Sequence, residues 1–542
     1  MSQLAEFLPH LPNEVIMDAR GPELDAFMVA LEGWRRGLTL KWYTNKSDKF
    51  PSFDIIDVDS PGKLFSLGNG NKTHYFFSTR GDLAKKEAVA ASMDIQKAKS
   101  LLQGGNVTVA DGKLFIDTDQ ETEIIKYANT IGYPVVVKPF NRTTNRRVLR
   151  IVENVGRLKD VISFLKKEPS YKGLTIEKHL EGDSFRLYVI DNEVKGALQR
   201  IPANVTGDGI HSIKQLIELK NRERKQNPFL ENCLIEQEID MVDHLKKNGF
   251  SFNSIPTKDE QVTLTSNHSI NYGGDPIDVL DTISEEMKEE AIKAVKAFPE
   301  LQHASIDIVV YGKNLNESKY VITDINATPS IAPMLFPVSG VPRDIPSAIV
   351  DYYFPETTVI KTEKEKIYFD FVDVLEPLHS HSANVTTVSP APVGEIHSKK
   401  FVLTGDVQQV GFHRGLRKQA FERKLSGYVS SLSNGSIEVV VSGLNEEVVD
   451  GFKEALVADS LRSDVQSISE EAWTGPVKVG FEIKADLKTQ LENMKKLTEQ
   501  KDQLIKDLKY EENIYRLYMQ SISWRMTQPL RKIGDSIKSF RK

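Results

Sequence analysis

One cysteine in 542 residues, Cys233, leaves nothing for an internal disulfide or a thiolate metal cluster, and points to a reducing compartment. No segment approaches the ~20 consecutive apolar residues that a membrane-spanning helix needs. The N-terminal MSQLAEFLPHLPNEV lacks a basic region followed by an apolar stretch, the mark of a secretory leader, so a cytoplasmic protein is expected. An excess of basic charge is missing too. The formal net charge is −6, which argues against a general nucleic-acid binder. What is present, 40% hydrophobic and 27% charged residues, is ordinary for a globular chain, and the length suits about three or four domains.

The most informative stretch is SIDIVV…YVITDINATPS. Two β-branched runs, Ile306–Val310 and Tyr320–Ile325, predict adjacent strands joined by a polar hairpin. Alternation puts Asp324 and Asn326 on one face and allows Asp307 to meet them across the pair. Three oxygen ligands of this kind suit Mg²⁺, which takes its remaining ligands from phosphates and water. Read alone, the same residues could equally be the polar end of a hairpin. Upstream, TIGYPVVVKPF sets Lys138 at the end of a buried apolar strand, where a lone cation needs an anionic partner.

Further along, GLTIEKHLEGDSFRLYVIDNEVKGALQRIPANVTGDGIHSI leads into a loop holding Gly207, Asp208 and Gly209, and PMLFPVSGVPRDIPSAIVDYYFPE closes the unit. In this order and wording, residues from about 79 to 356 resemble the ATP-grasp carboxylate–amine ligases, on the branch that includes cyanophycin synthetase and bifunctional glutathione synthetase. The resemblance implies that ATP activates a carboxylate as an acyl phosphate and that an amine then displaces phosphate. It implies ATP with Mg²⁺ or Mn²⁺ as cofactors, and small-molecule or peptide carboxylates and amines as substrates. Carried over residue by residue, it makes Asp307, Asp324 and Asn326 the metal ligands, with Asp324 where the family usually has Glu. Lys99 and Lys138 match the nucleotide lysines, and Glu177 falls at the hinge that holds adenosine. Arg186 and Arg200 lie where phosphate or a substrate carboxylate is bound, a task suited to a guanidinium fork, with Asn204 and Asp208 in the loop beside them.

The chain departs from the family at the flexible lid. Glycines there let backbone N–H groups approach phosphate closely. Here the lid reads PFNRTTNRRV, with Asn145 and Arg147 where glycines are expected. Arg142, Arg146 and Arg147 could hold phosphate by charge instead; alternatively the lid no longer closes and the domain is a binding or scaffolding pseudoenzyme.

Ahead of the ligase-like core (residues 79–375), residues 1–78 suggest a small α/β domain: a helix over Glu23–Arg36 and strands over Leu38–Tyr43, Phe53–Val58 and His74–Phe77. Residues 376–397, rich in Ser, Pro and Thr, predict a linker. Residues 398–485, containing GDVQQVGFHRGLRKQAFERKLSGYVSSLSNGSIEVVV, resemble an acylphosphatase domain, which implies a ferredoxin-like α+β sandwich. Its phosphate-binding arginine position is His413, its water-orienting asparagine position is Ser431, and its cradle glycine is Gln409. The expected domain is therefore degenerate, although hydrolysis of acyl phosphates is the third reading open for the chain.

Residues 486–520 carry Leu487, Leu491, Met494, Leu497, Leu504, Ile505 and Leu508 at helical spacing, an amphipathic helix open to coiled-coil dimerisation or to packing on its own protein. The ligase-like core is a second route to a homo-oligomer. The tail, residues 521–542, mixes Trp524, Leu530, Ile533, Ile537 and Phe540 with six Lys and Arg against Asp535. Such a segment can rest on an anionic membrane at the inner face, or be a solvated basic tail. The fold class expected overall is α/β and α+β multidomain.

Overall fold

The computed structural model divides into two compact units, residues 1–396 with 474–479, and residues 397–473 with 480–542. It describes residues 7–51, 53, 60–116, 120–139, 150–167, 171, 173–237, 239–312, 319–360, 363–458, 463–484 and scattered positions between 498 and 511.

The first unit is organised around a helix, Leu24–Arg35. Its sequence periodicity predicts one apolar stripe, yet it is buried almost all round, including Glu32 and Arg35. The reason is that it is covered from several sides, by a sheet, by the helix Ile345–Tyr353 and by the strand at 367–368. Gly33 permits the close approach to the sheet, since a Cβ there would lie 2.4 Å from Leu67 Cδ1. Glu32 is paired, accepting from Arg36 Nε at 2.6 Å and from Lys364 Nζ at 2.5 Å, while Arg35 donates to the backbone carbonyls of Ile367 and His10. The covering sheet is an antiparallel meander of β1 (Thr39–Tyr43), β2 (Leu64–Gly68), β3 (Thr73–Phe77) and β4 (Arg80–Gly81), with Val385–Thr387 at the β1 edge. β2 shows no alternation to predict it, because all five of its residues are buried. The strand expected over 53–58 falls outside the described residues apart from Phe53.

Two further sheets carry the candidate site. The smaller is antiparallel, in the order β5 (Gly112–Ile116), β8 (Gly173–Lys178), β6 (Val135–Pro139), β7 (Arg150–Val152). Helices Glu121–Ile131 and Val155–Leu165 share a core with it through Ile124, Ala128, Leu158 and Ile162. The larger has the order β13 (Asp275–Asp278), β10 (Glu193–Ile201), β9 (Asp183–Ile190), β14 (His303–Tyr311), β15 (Lys319–Asn326). Helix Glu285–Lys296 packs on it through Met287, Ala291 and Val295. β11 (Asn204–Thr206) and β12 (Gln261–Thr263) pair as a separate ribbon.

Residues 376–397, which composition marks as a linker, are structured. They contain the end of the helix Phe371–His379 and the strand β17 (Val385–Thr387), which pairs with β1, and Leu378, Val388 and Ile396 are buried. Just ahead lies β16 (Ile367–Tyr368). The Ser and Pro content misleads here because a sheet edge needs only backbone hydrogen bonds.

The second unit has the antiparallel order β21 (Asp464–Ala472), β18 (His397–Asp406), β20 (Ile437–Gly443), β19 (Ser426–Ser431), extended by β23 (Phe481–Lys484) parallel to β19. Helix Val410–Glu422 and the pair Glu446–Asp450 and Phe452–Val457 share one core with the sheet. This is the ferredoxin-like sandwich expected for residues 398–485, except that residues 474–479, with β22 (Val477–Lys478), belong to the first unit and pair with β16. Of the helix expected over 486–520, Thr498, Gln500, Lys501, Gln503–Ile505, Leu508 and Glu511 are described and are helical. The tail 521–542 and its membrane reading lie outside the described residues. No helix among the described residues is long and apolar enough to cross a membrane.

Candidate active site

Register on the larger sheet assembles the site. Asp307 on β14 stands opposite Arg186 on β9 and opposite Asp324 on β15, and Arg200 on β10 stands opposite Ser184. After Asp307 the pairing slips, so that Ile308 faces Ile322 and Thr323 is the extra residue of a bulge. That frees the Thr323 carbonyl, which accepts from Lys138 Nζ of the smaller sheet at 3.1 Å.

A cleft of about 390 Å³ opens between the two sheets. Lys99, Lys138, Glu177, Arg186, Arg200, Asp307 and Asp324, separated by up to 225 positions in sequence, all line it. Five Lys and Arg face three carboxylates along its walls, a balance that suits a polyanion.

The charges form two clusters. In one, Arg186 grips Asp307 with both arms (Nε to Oδ1 2.7 Å, Nη2 to Oδ2 3.0 Å), and Arg200 Nη1 donates to Oδ2 at 2.8 Å. The other arm of Arg200 is fixed by Ser184 Oγ, which accepts from Nε at 3.1 Å and from Nη2 at 2.6 Å. Burial alone would raise the Asp307 carboxyl; the two guanidinium groups and their hydrogen bonds more than offset it and hold it well below the usual carboxylate range. In the other cluster, Glu177 lies 2.6 Å from Lys138 and 3.0 Å from Lys99. Burial pushes Glu177 up, but Lys138 and then Lys99 bring it below its ordinary value. Among the described residues Glu177 is the ion-pair partner of Lys99, at 3.0 Å, which leaves donors of that ammonium unspent. Glu177, expected beside adenosine, thus spends its carboxylate on the two lysines.

The charges and oxygen donors of the cleft fit a nucleoside triphosphate with a divalent cation. A carboxylate offers about four lone-pair sites, and the arginines take three of those on Asp307. Asp324 and the remaining site of Asp307 can hold a divalent cation, more fully once an anion draws the arginines away. Asn326 stands opposite Ser305 and uses its Oδ1 to accept from Thr328 N at 2.9 Å; it is not among the residues lining the cleft. Two expected residues lie elsewhere. Asn204 is tied into a network with Lys220 and Asp275, and Asp208 is half-buried, its carboxylate capping the turn through Ile210 N and His211. The lid arginine Arg146, like Arg142 and Arg147, lies outside the described residues. Sequence reasoning missed Ser184 and His268. Ser184 could have been found from alternation, two positions from Arg186; His268 sits in a polar loop, TSNHSINYGG, that carries no periodic signal.

Gly112 closes the back of the lysine cluster. A Cβ there would meet Glu177 Cγ at 2.6 Å, Lys99 Nζ at 2.7 Å and Ile176 O at 2.9 Å. Gly112→Ala should cost about 1–3 kcal/mol by overpacking and weaken nucleotide binding by displacing Lys99; unchanged thermal melting and unchanged ATP affinity would refute this packing.

In the second unit, the positions that resemble a phosphatase site are spent internally. His413 is buried and its Nε2 donates to Val407 O at 3.1 Å. Burial lowers its pKa, so the imidazole is neutral. Ser431 Oγ donates to Gln408 Oε1 at 2.6 Å, while Gln408 Nε2 donates to Gly435 O and Ser436 O.

Comparison with known proteins agrees with this division. Residues 399–483 match the Acylphosphatase family model. Cyanophycin synthetase of Synechocystis sp. is 28% identical over 302 residues, 54% of this chain and 34% of the relative. The glutathione biosynthesis bifunctional protein GshAB of Listeria innocua is 33% identical over 262 residues, 47% of this chain and 33% of the relative. The chain thus spans about a third of the length of these curated relatives. Among solved structures, a bifunctional glutathione synthetase from Pasteurella multocida shares 24% identity with a TM-score of 0.39, covering 54% of this chain and 41% of that one. An acylphosphatase from Coxiella burnetii shares 26% identity with a TM-score of 0.16, covering 16% of this chain and 93% of that one. About half of this chain is therefore similar in sequence to cyanophycin synthetase and to GshAB, and residues 399–483 match the Acylphosphatase family.

Proposed function

We propose that the chain is an ATP- and Mg²⁺-dependent ligase that activates a carboxylate and joins it to an amine, with amino acids or short peptides as the substrate class. The carrying observation is the convergence of Lys99, Lys138, Arg186, Arg200, Asp307 and Asp324 on one cleft. ATP would supply the phosphoryl group that turns the carboxylate into a mixed anhydride, with a divalent cation screening its phosphates. Lys99 and Lys138 bind and orient phosphate, and their shared partner Glu177 holds both ammonium groups in the cleft until it arrives. Arg186 and Arg200 are set by Asp307 and Ser184 at fixed angles, ready to neutralise a carboxylate or a transferred phosphoryl group. Asp324 and Asp307 are the groups that would hold the cation.

The names of the relatives, cyanophycin synthetase and glutathione biosynthesis protein, support amino-acid and peptide substrates for this chain. Acyl phosphate hydrolysis by residues 398–485 has less support, since His413 and Ser431 are committed to internal hydrogen bonds.

With ATP, Mg²⁺ and pooled amino acids and dipeptides, the chain should release ADP and phosphate together. Changing Asp324 to Ala should reduce that release to background. Undiminished turnover in this variant would remove the ligase reading.

A further inference from the structure

Behind the nucleotide cleft lies a second, larger cavity of about 880 Å³. The two share a wall made of Ile151, His179, Leu180, Gly182, Ser266 and His268. The cavity's charged lining is Glu153, Glu181 and Lys247, with Lys247 paired to Glu153 at 3.1 Å. The remaining carboxylate gives the chamber the opposite sign to the cleft, whose walls are cationic. Tyr133 also lines it, and its buried hydroxyl has no hydrogen-bond partner among the described residues.

The hydrogen bond of one wall residue points to a single tautomer. His268 Nδ1 lies 2.9 Å from the backbone carbonyl of Arg200. A carbonyl only accepts, so Nδ1 carries the proton, and in the neutral ring Nε2 is then a bare acceptor. Burial above all, and then the Arg200 charge, lower the His268 pKa; the hydrogen bond to the Arg200 carbonyl and the charge of Asp183 act against this. The net effect is a neutral imidazole.

We propose that the chamber admits the amine substrate and that His268 Nε2 takes the proton from its ammonium group at the boundary with the cleft. This rests on the ligase reading of the cleft. An alkylammonium cannot attack an acyl phosphate, because its nitrogen lone pair is used in the N–H bond. Transfer of one proton to Nε2 frees that pair, which forms the C–N bond as the acyl C–O bond breaks. The bonding electrons of that C–O bond and the second nitrogen proton leave with phosphate. Cationic walls on one side and an acid with a neutral base on the other thus sort the carboxylate from the amine.

Two measurements on the full chain test this. Long-range ¹H–¹⁵N spectra, with His268→Asn assigning the resonance, should show Nδ1 protonated and Nε2 bare at pH 7; a proton on Nε2 or a charged ring overturns the proposal. In the second, ATP, Mg²⁺ and pooled amino acids and dipeptides are supplied with either hydroxylamine or the pooled amines as acceptor. Hydroxylamine is already unprotonated at neutral pH and needs no base. His268→Asn, which keeps a donor for the Arg200 carbonyl, should leave hydroxamate formation within about twofold and cut amide formation by about 10²–10⁴-fold, the loss shrinking as pH rises. Equal loss with both acceptors, or loss with neither, overturns it. Absence of hydroxamate from the unmodified protein removes the ligase reading instead, a result distinguishable from failure of His268 alone.

Discussion

Asp307→Ala should lower the stability of the first unit by about 3–5 kcal/mol, the usual consequence of removing one partner from a buried ion cluster. The cause is what the substitution leaves behind. Arg186 and Arg200 both bond this one buried carboxylate, and without it two partly buried guanidinium groups face each other unpaired. Ser184 can absorb part of Arg200 but offers no charge. The effect should depend on pH with a defined sign. The folded Asp307 titrates below its unfolded value, so its stabilisation is fully present above the ordinary carboxylate range, about pH 4, and fades as pH falls below it. Urea unfolding at pH 7 and at pH 4 should therefore show a larger gap between the native protein and Asp307→Ala at the higher pH. A gap below 1 kcal/mol at pH 7 would mean that the arginines find other partners and that the cluster is not held as described.

Lys138→Ala should weaken Mg²⁺-ATP binding by about 10- to 150-fold, the worth of a charge-assisted hydrogen bond of about 1.5–3 kcal/mol. Its structural cost should be the smaller of the two, because Glu177 keeps Lys99 at 3.0 Å when Lys138 is gone. Affinity and stability should therefore separate in this variant and fall together in Asp307→Ala. Isothermal calorimetry beside thermal melting reads both; an affinity loss under threefold would show that Lys138 serves the Thr323 carbonyl and not a phosphate.

The hairpin that carries Asp307 and Asp324 was legible in the sequence because β-branched alternation and an oxygen-rich end coincide there. Lys138 was legible for a similar reason, a cation closing an apolar strand. What pattern could not convey was pairing across distance. That Glu177 would be claimed by Lys99 and Lys138, and Asp307 by two arginines, depends on strand order β10-β9-β14-β15 and on the meeting of two sheets. Asn204 and Asp208 show the converse: the family wording places them near the site, while Lys220, Asp275 and His211 consume their polar atoms. In the second unit, the residues at 409, 413 and 431 differ from those expected of a phosphatase site, and the structure adds that His413 and Ser431 are engaged in internal hydrogen bonds. The strand at 385–387 was hidden by composition, since backbone pairing to β1 places little demand on side chains.

The most direct test of the proposed ligase is calorimetric titration of the full chain with ATP, in the presence and in the absence of Mg²⁺. The expected result is binding that strengthens with Mg²⁺, because the cation occupies Asp324 and Asp307 while the phosphates draw Arg186 and Arg200 off the carboxylate. Binding that is absent, or indifferent to Mg²⁺, would contradict it and leave the cleft as the ion-paired core of a scaffold.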